Sequence, residues 1–300
     1  MVYKQFKKLT SSQHRRNLMS ISDLRVYFFI ALICYLSSSD PVVNRKIVEH
    51  NDTYPPFNRE LIIDIDSDSI AGYAMLAAGD HPKETIILVP GYPGNDTNFD
   101  LAIDMRAEGF NVIIFNHRGA WGSQGLYSYS NCLEDIDYLI EYLSQQEVSE
   151  TLHIDTGKFT LVGRSFGGGI ALIQGSQNDQ IKRIVALTSV NYGDLMKNYS
   201  SLDELGGFKN YMLKQVMMNH NIDLFLQELL DNQEAYDIGH YNAQLSQKDI
   251  LIIEDSDKNM EWIETLNNAT TVVLDSDHNF IDKREELSQI IIKWLTSEGS

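Results

Sequence analysis

The sequence predicts an α/β protein: a mostly parallel sheet of about eight strands, helices on both of its faces, and a helical, lid-like insertion. Three observations predict it. Short apolar runs of strand length alternate with segments of helical apolar spacing from Thr85 onward. Runs such as Ile86-Ile87-Leu88-Val89 are continuously apolar, as strands covered on both faces must be. Finally, Phe159 to Val162 runs directly into Gly163-Arg164-Ser165-Phe166-Gly167 and then into a helix-compatible stretch, Ile170 to Gln174.

The elements follow in order. Residues 1–25 are basic, and Val26 to Leu36 form an apolar run too short to span a bilayer, which takes about 20 residues. With Ser37 and Ser39 after it, residues 1–39 read as a signal peptide or an N-terminal anchor, with cleavage before Asp40. The expectation is therefore an exported protein (periplasmic, secreted or N-terminally anchored), cytoplasmic only if this run is not a signal. Residues 40–58, polar and containing Pro55-Pro56, read as a linker, and 59–300 as the main domain. Leu61 to Ile65 and Ile70 to Ala77 form a hairpin around Asp66-Ser67-Asp68-Ser69.

Strands are then expected at Ile86–Val89, Val112–Phe115, Phe159–Val162, Ile184–Leu187, Ile250–Ile253 and Thr271–Leu274, with helices between them. Leu133, Ile136, Ile140 and Leu143 recur at helical spacing. So do Leu287, Ile290, Ile291, Trp294 and Leu295, preceded by an Asp282/Glu285 capping box. Between the fourth and fifth of these strands lies an insertion, about 191–247. Its first half carries Tyr192, Met196, Tyr199, Phe208, Tyr211, Met212, Met217 and Met218, and its second half Ile222, Phe225, Leu226, Leu229 and Leu230 at helical spacing. These either pack on the sheet edge or line an apolar pocket as a lid.

Composition excludes several classes of function. The chain has 300 residues and a net charge of −18, which argues against nucleic acid, since that partner needs a basic footprint. The same charge leaves a membrane association only through the N-terminal anchor. Of two cysteines, Cys34 lies in the apolar leader and Cys132 in a predicted helix, so no internal disulfide framework is expected. Metal-ligand spacing and phosphate-cradling loops are not found, and the chemistry is expected to need no cofactor and no metal. The sequence carries no signal of oligomeric state.

The chemistry-bearing residues sit at strand ends. A Gly-x-Ser-x-Gly between strand and helix is the setting of a nucleophile on a tight turn, which marks Ser165. A serine hydroxyl needs a base, and the base needs an orienting acid. His278, on the loop after the strand Thr271–Leu274, is the candidate base. His117 is its only serious rival, and its setting before Arg118-Gly119 reads as structural. The acid is expected just past Ile250–Ile253, as Asp257 with Asp255 in reserve. The oxyanion would be held by the N–H groups of Phe166, which follows the serine, and of Tyr92, in the loop after Ile86–Val89.

At four places the chain resembles the α/β-hydrolase superfamily. These are Pro-Gly-Tyr-Pro-Gly (90–94), Asn-His-Arg-Gly-Ala-Trp-Gly-Ser-Gln-Gly (116–125), Gly-Arg-Ser-Phe-Gly-Gly (163–168) and Asp-His-Asn-Phe (277–280). It looks most similar to small bacterial serine hydrolases related to the catalytic domain of the prolyl oligopeptidase (S9-like) group. The resemblance implies the α/β-hydrolase fold, a Ser165–Asp257–His278 triad acting through an acyl-enzyme, and a pocket near Trp121, Ser123 and Arg164. It implies a small-molecule ester or peptide substrate, with a carboxylesterase expected first and a peptidase second. A catalytically inactive binding scaffold is the third alternative. Two positions depart from the pattern: Pro90 stands where a histidine is usual, and Asp255 where a glycine is usual after the acid strand.

Overall fold

The computed structural model describes residues 51, 53–94 and 98–297. The signal-peptide or anchor reading of 1–39, and most of the 40–58 linker, lie outside them. The described residues fall in one unit, Ile47–Ser300.

Chain order begins with a hairpin of β1 (Phe57–Ile65) and β2 (Asp68–Leu76). On β1, Leu61, Ile63 and Ile65 are buried while their neighbours face outward, the period-2 alternation of a half-covered strand. The two-residue Asp66-Ser67 turn puts Asp66 at φ 51°, which its short polar side chain tolerates. From β3 (Lys83–Val89) the chain alternates: α1 (Phe99–Ala107), β4 (Asn111–Phe115), α2 (Tyr129–Ser144), α3 (Gln146–Leu152), β5 (Ile154–Arg164), α4 (Phe166–Gln177) and β6 (Ile181–Leu187).

The insertion follows, with α5 (Tyr192–Met196), α6 (Gly206–Met212), α7 (Ile222–Asp231) and α8 (Asn242–Leu245). The chain closes with β7 (Asp249–Glu254), α9 (Met260–Ile263), β8 (Ala269–Val273) and α10 (Arg284–Thr296). The eight strands form one sheet in the order β1-β2-β4-β3-β5-β6-β7-β8. The β1–β2 and β2–β4 pairs are antiparallel, and the rest are parallel.

Both faces are covered, which explains the unbroken apolar runs. Ile87 and Val89 of β3 face one core, together with α2, α4 and the insertion. Ile86 and Leu88 face the other, where Leu101 and Met105 of α1 meet Leu287, Ile291 and Leu295 of α10. Each of these buried side chains contributes about 1.5–3 kcal/mol of transfer free energy. The expected capping box on α10 does not form. The helix starts at Arg284 with no side-chain cap, because the Asp282 carboxylate is bound by the Ser276 hydroxyl instead. Arg284 is held by Asp100 and Asn98 of the facing α1 end.

In the insertion, α7 buries Phe225, Leu226 and Leu229 and leaves Leu224 exposed, and the Asn221 side chain caps it by accepting from Leu224 N–H at 3.2 Å. The insertion is stitched to the loop after β4: Asn219 N–H donates to the Gly119 carbonyl at 2.7 Å, and Tyr127 N–H to the Asn219 carbonyl at 2.8 Å. Among the described residues, no helix is long and apolar enough to cross a membrane.

Candidate active site

Parallel strands β3 to β8 deliver their loops to one edge of the sheet, and the candidate residues lie on those loops or, for Arg164, at the end of β5. Ser165 sits between β5 and α4 with φ 56° and ψ −118°, a conformation that a non-glycine residue adopts only under constraint. The constraint is visible. Ser165 N–H donates to the Leu187 carbonyl at 2.8 Å, and the Ser165 carbonyl accepts from Gly168 at 3.1 Å and Val190 at 3.2 Å. Two glycines make room: a Cβ on Gly163 would lie 2.2 Å from the Gly167 carbonyl oxygen, and one on Gly167 would lie 2.3 Å from that of Val89. Backbone approaches this close admit no side chain, so the glycine spacing read from the sequence has a steric cause.

Phe166 is the first residue of α4, where an N–H has no intrahelical acceptor and the helix dipole is positive. The Tyr92 loop lies beside it, with the Tyr92 and Phe166 ring centroids 6.4 Å apart and Tyr92 lining the same cavity as Ser165. Gly94 N–H closes that loop onto the Gly91 carbonyl at 2.6 Å. Trp121, at φ 46°, braces it from behind by donating its indole N–H to the Pro93 carbonyl at 3.0 Å. This differs from the pocket role expected for Trp121. Ser123 differs too: its hydroxyl donates to the Asn116 carbonyl at 2.7 Å and accepts from Ala71 N–H at 3.0 Å, tying the β4 loop to the hairpin. Neither residue lines the cavity beside Ser165, whereas Arg164 does.

His278 lies on the β8–α10 loop, half exposed, with Nδ1 3.4 Å from Asp255 Oδ2. Asp277 shapes that loop by accepting from Asn279 N–H at 2.8 Å and Ile281 N–H at 3.1 Å, while buried Phe280 anchors it at φ 53°. The carboxylate beside the imidazole is therefore the reserve, Asp255, rather than the expected Asp257. Asp257 is exposed at the start of a 3-10 turn, Asp257–Asn259. The reason is register. β7 stays paired through Glu254↔Val273, and Ser276 N–H donates to the Asp255 carbonyl at 3.3 Å, so the first residue past the strand already faces the histidine loop.

Ser165 and His278 line one cavity of about 390 Å³, together with Tyr92, Pro93, Arg164 and Asn279 from the sheet-edge loops. Among the described residues their side chains do not hydrogen-bond directly. The far wall is Tyr192, Phe208, Tyr211, Met212, Phe225, Leu226 and Leu229 of the insertion. Those positions thus line the cavity, and several of them also pack in the core, the two roles expected of the insertion. Burial holds the phenols of Tyr92 and Tyr192 well above their ordinary titration range, so they stay protonated.

The rival histidine is structural. His117 is buried, its Nδ1 lies 3.0 Å from Asp135 Oδ2, and Arg118 binds the same carboxylate. His117, Cys132 and Asp135 are of metal-ligating types and lie close together. The Arg118 guanidinium already supplies the cation that Asp135 requires, and burial raises the Cys132 thiol well above its ordinary range, so the cluster reads as an ion-paired core. Two residues at the site were missed in the sequence. Asn279 lines the cavity, and Glu254, the last residue of β7, is fully buried with its carboxyl pushed up to about 7 by that burial. In so acidic a chain nothing distinguishes Glu254 from its neighbours.

A family model described as the alpha/beta hydrolase fold matches residues 84–216. A comparison with curated proteins gives no match. Among solved structures, the chain is similar to Est1E from Butyrivibrio proteoclasticus, at 11% identity and TM-score 0.60 over 79% of this chain and 99% of that one. It is similar to the thioesterase domain from the curacin biosynthetic pathway, at 17% identity and TM-score 0.58 over 79% and 99%. The Pyrococcus furiosus esterase Pf2001 gives 18% identity and TM-score 0.56 over 81% and 90%. Strand order, the serine turn between β5 and α4, and the matched family model agree, and the chain is an α/β-hydrolase-fold protein.

Proposed function

We propose that the protein is a serine hydrolase that cleaves carboxylic esters with an apolar acyl group. The observation that carries this is one cavity shared by a conformationally constrained Ser165 and a His278 paired with Asp255. Ser165 Oγ attacks the ester carbonyl as His278 Nε2 takes its proton. Asp255 holds Nδ1–H and stabilises the imidazolium. The carbonyl oxygen, now an oxyanion, accepts from the N–H groups of Phe166 and Tyr92. Its collapse breaks the bond to the alcohol, which leaves with the proton from His278. Water then repeats the sequence and releases the acid. Ser165 and His278 line the same cavity, and hydrogen bonds between such groups commonly tighten when substrate binds.

The lid lining supports an apolar acyl group, since the wall opposite Ser165 is aromatic, methionine and leucine. The names of the esterases and the thioesterase domain among its structural neighbours are in keeping with that chemistry. Two measurements test the reading. A fluorophosphonate probe labels wild-type protein and not Ser165→Ala, which loses nearly all ester hydrolysis while keeping its melting temperature. A p-nitrophenyl ester series run beside aminoacyl and dipeptidyl anilides gives higher kcat/KM on the esters. Faster anilide cleavage would make it a peptidase, and a folded protein that neither labels nor hydrolyses would be a binding scaffold. Export through residues 1–39 is proposed with it, and a secreted chain beginning at Asp40 by mass spectrometry is its test.

A further inference from the structure

Glu254 sits where three loops of the catalytic edge meet. It is 0% exposed at the end of β7. Ser189 N–H, in the loop after β6, donates to Oε1 at 3.1 Å. Asn259, in the turn after β7, donates its side-chain amide to Oε2 at 2.8 Å. The Glu254 carbonyl accepts Leu274 N–H at 2.8 Å, where β8 gives way to the His278 loop. Ser189 in turn abuts the serine helix, since a Cβ on Gly168 would lie 2.0 Å from its hydroxyl. One residue therefore touches the acid loop, the histidine loop and the support of the nucleophile turn.

The groups that face the carboxyl explain why it is a carboxyl. From the β6 loop it meets the neutral Ser189, and from the 3-10 turn the neutral Asn259. The charged group acting on it is Asp255, adjacent in sequence, and His278 is reached through Asp255. A glutamine would fill the same space and satisfy Ser189, so hydrogen bonding alone does not require an acid. What the acid adds, once ionised, is a second negative charge next to Asp255, the partner of His278.

We propose that Glu254 is a positioning residue which, when ionised, clamps the three loops and raises the proton affinity of His278. This rests on the serine-hydrolase reading of the same site. The ionised form favours the imidazolium that forms as Ser165 attacks. Both Glu254 and His278 must then be deprotonated in the free enzyme for full activity, and burial brings the Glu254 carboxyl into the same range of pH as an imidazole.

The test is Glu254→Gln in the full chain, first shown to be folded by its melting curve. With a p-nitrophenyl ester, the acid limb of log kcat/KM against pH approaches a slope of about 2 in wild type and about 1 in the variant, whose plateau is about tenfold lower. By NMR, the His278 imidazole, assigned with His278→Gln, titrates about one pH unit lower in the variant. An unchanged slope, a plateau within twofold and an unchanged His278 titration overturn the proposal. If wild type neither labels with fluorophosphonate nor hydrolyses esters, the hydrolase reading itself fails. The His278 titration then still decides whether Glu254 acts on the imidazole.

Discussion

Glu254→Gln makes a prediction about stability whose sign runs opposite to its effect on activity. The carboxyl is raised from its ordinary 4.5 to about 7 in the folded chain. Between those values the native state binds more protons than the unfolded state, so stability falls as pH rises. The penalty of ionising it in place grows from about 1 kcal/mol at pH 5 to about 3 kcal/mol at pH 8. Gln carries no such penalty. Its oxygen can accept from Ser189 N–H, and its amide can donate to Asn259 once that side chain turns over. The variant should therefore gain on wild type by about 2 kcal/mol between pH 5 and pH 8. At about 2–4 °C per kcal/mol for a domain of this size, its melting temperature rises relative to wild type by about 5 °C across that range. Thermal melts of both proteins at the two pH values, in matched ionic strength, read this directly. A melting difference that is the same at both pH values, or larger at pH 5, would refute the linkage argument.

Three further outcomes follow from the geometry. Asp255→Asn should lower kcat on an ester by about 10³–10⁴ while Asp257→Asn stays within about twofold, because only Asp255 faces His278. Equal losses in the two variants would mean that the acid loop rearranges on binding. Gly167→Ala drives a Cβ to within 2.3 Å of one backbone carbonyl and 2.5 Å of another, at Val89 and Pro90. It should cost about 3 kcal/mol or more, read as a lowered melting temperature or insoluble expression. Gly207→Ala, a helical site with nothing within 4 Å, should be neutral or stabilising by up to about 1 kcal/mol in the same assay.

The frame of this protein is legible in its sequence because the physics that sets it is local and periodic. Strands β3 to β7 announce themselves as short apolar runs, since both faces of each are covered. The serine turn is legible for a steric reason: Gly163 and Gly167 stand where backbone carbonyls leave no room for a Cβ. The acid was harder to read. Choosing between Asp255 and Asp257 depends on whether β7 remains paired through Glu254, a register decided by its neighbour β8. Trp121 and Ser123 belong to the right loop, but the way that loop folds over the hairpin directs them to Pro93 and Asn116. The α10 cap failed for a similar cause, since Ser276 from another loop takes the Asp282 carboxylate.

Asp255, Glu254 and the Asp282 carboxylate all lie at or just past the far ends of β7 and β8, where tertiary contacts outweigh chain-local rules. That is also where the fold concentrates unfavourable terms. Ser165 is held at positive φ, costing about 1–3 kcal/mol, and Glu254 is a fully buried carboxyl whose burial opposes its ionisation. Neither helps the chain fold. The first projects a hydroxyl off a turn that packing and four backbone hydrogen bonds keep from relaxing. The second costs more as the pH rises to where an imidazole is a free base. A scaffold kept only for its shape would gain stability by losing either, through Ser165→Gly at the turn or Glu254→Gln at the strand end. If both substitutions stabilise the protein while ester hydrolysis falls, these costs are tied to catalysis. If Glu254→Gln stabilises it and leaves turnover and the pH profile intact, the buried charge has no part in the chemistry.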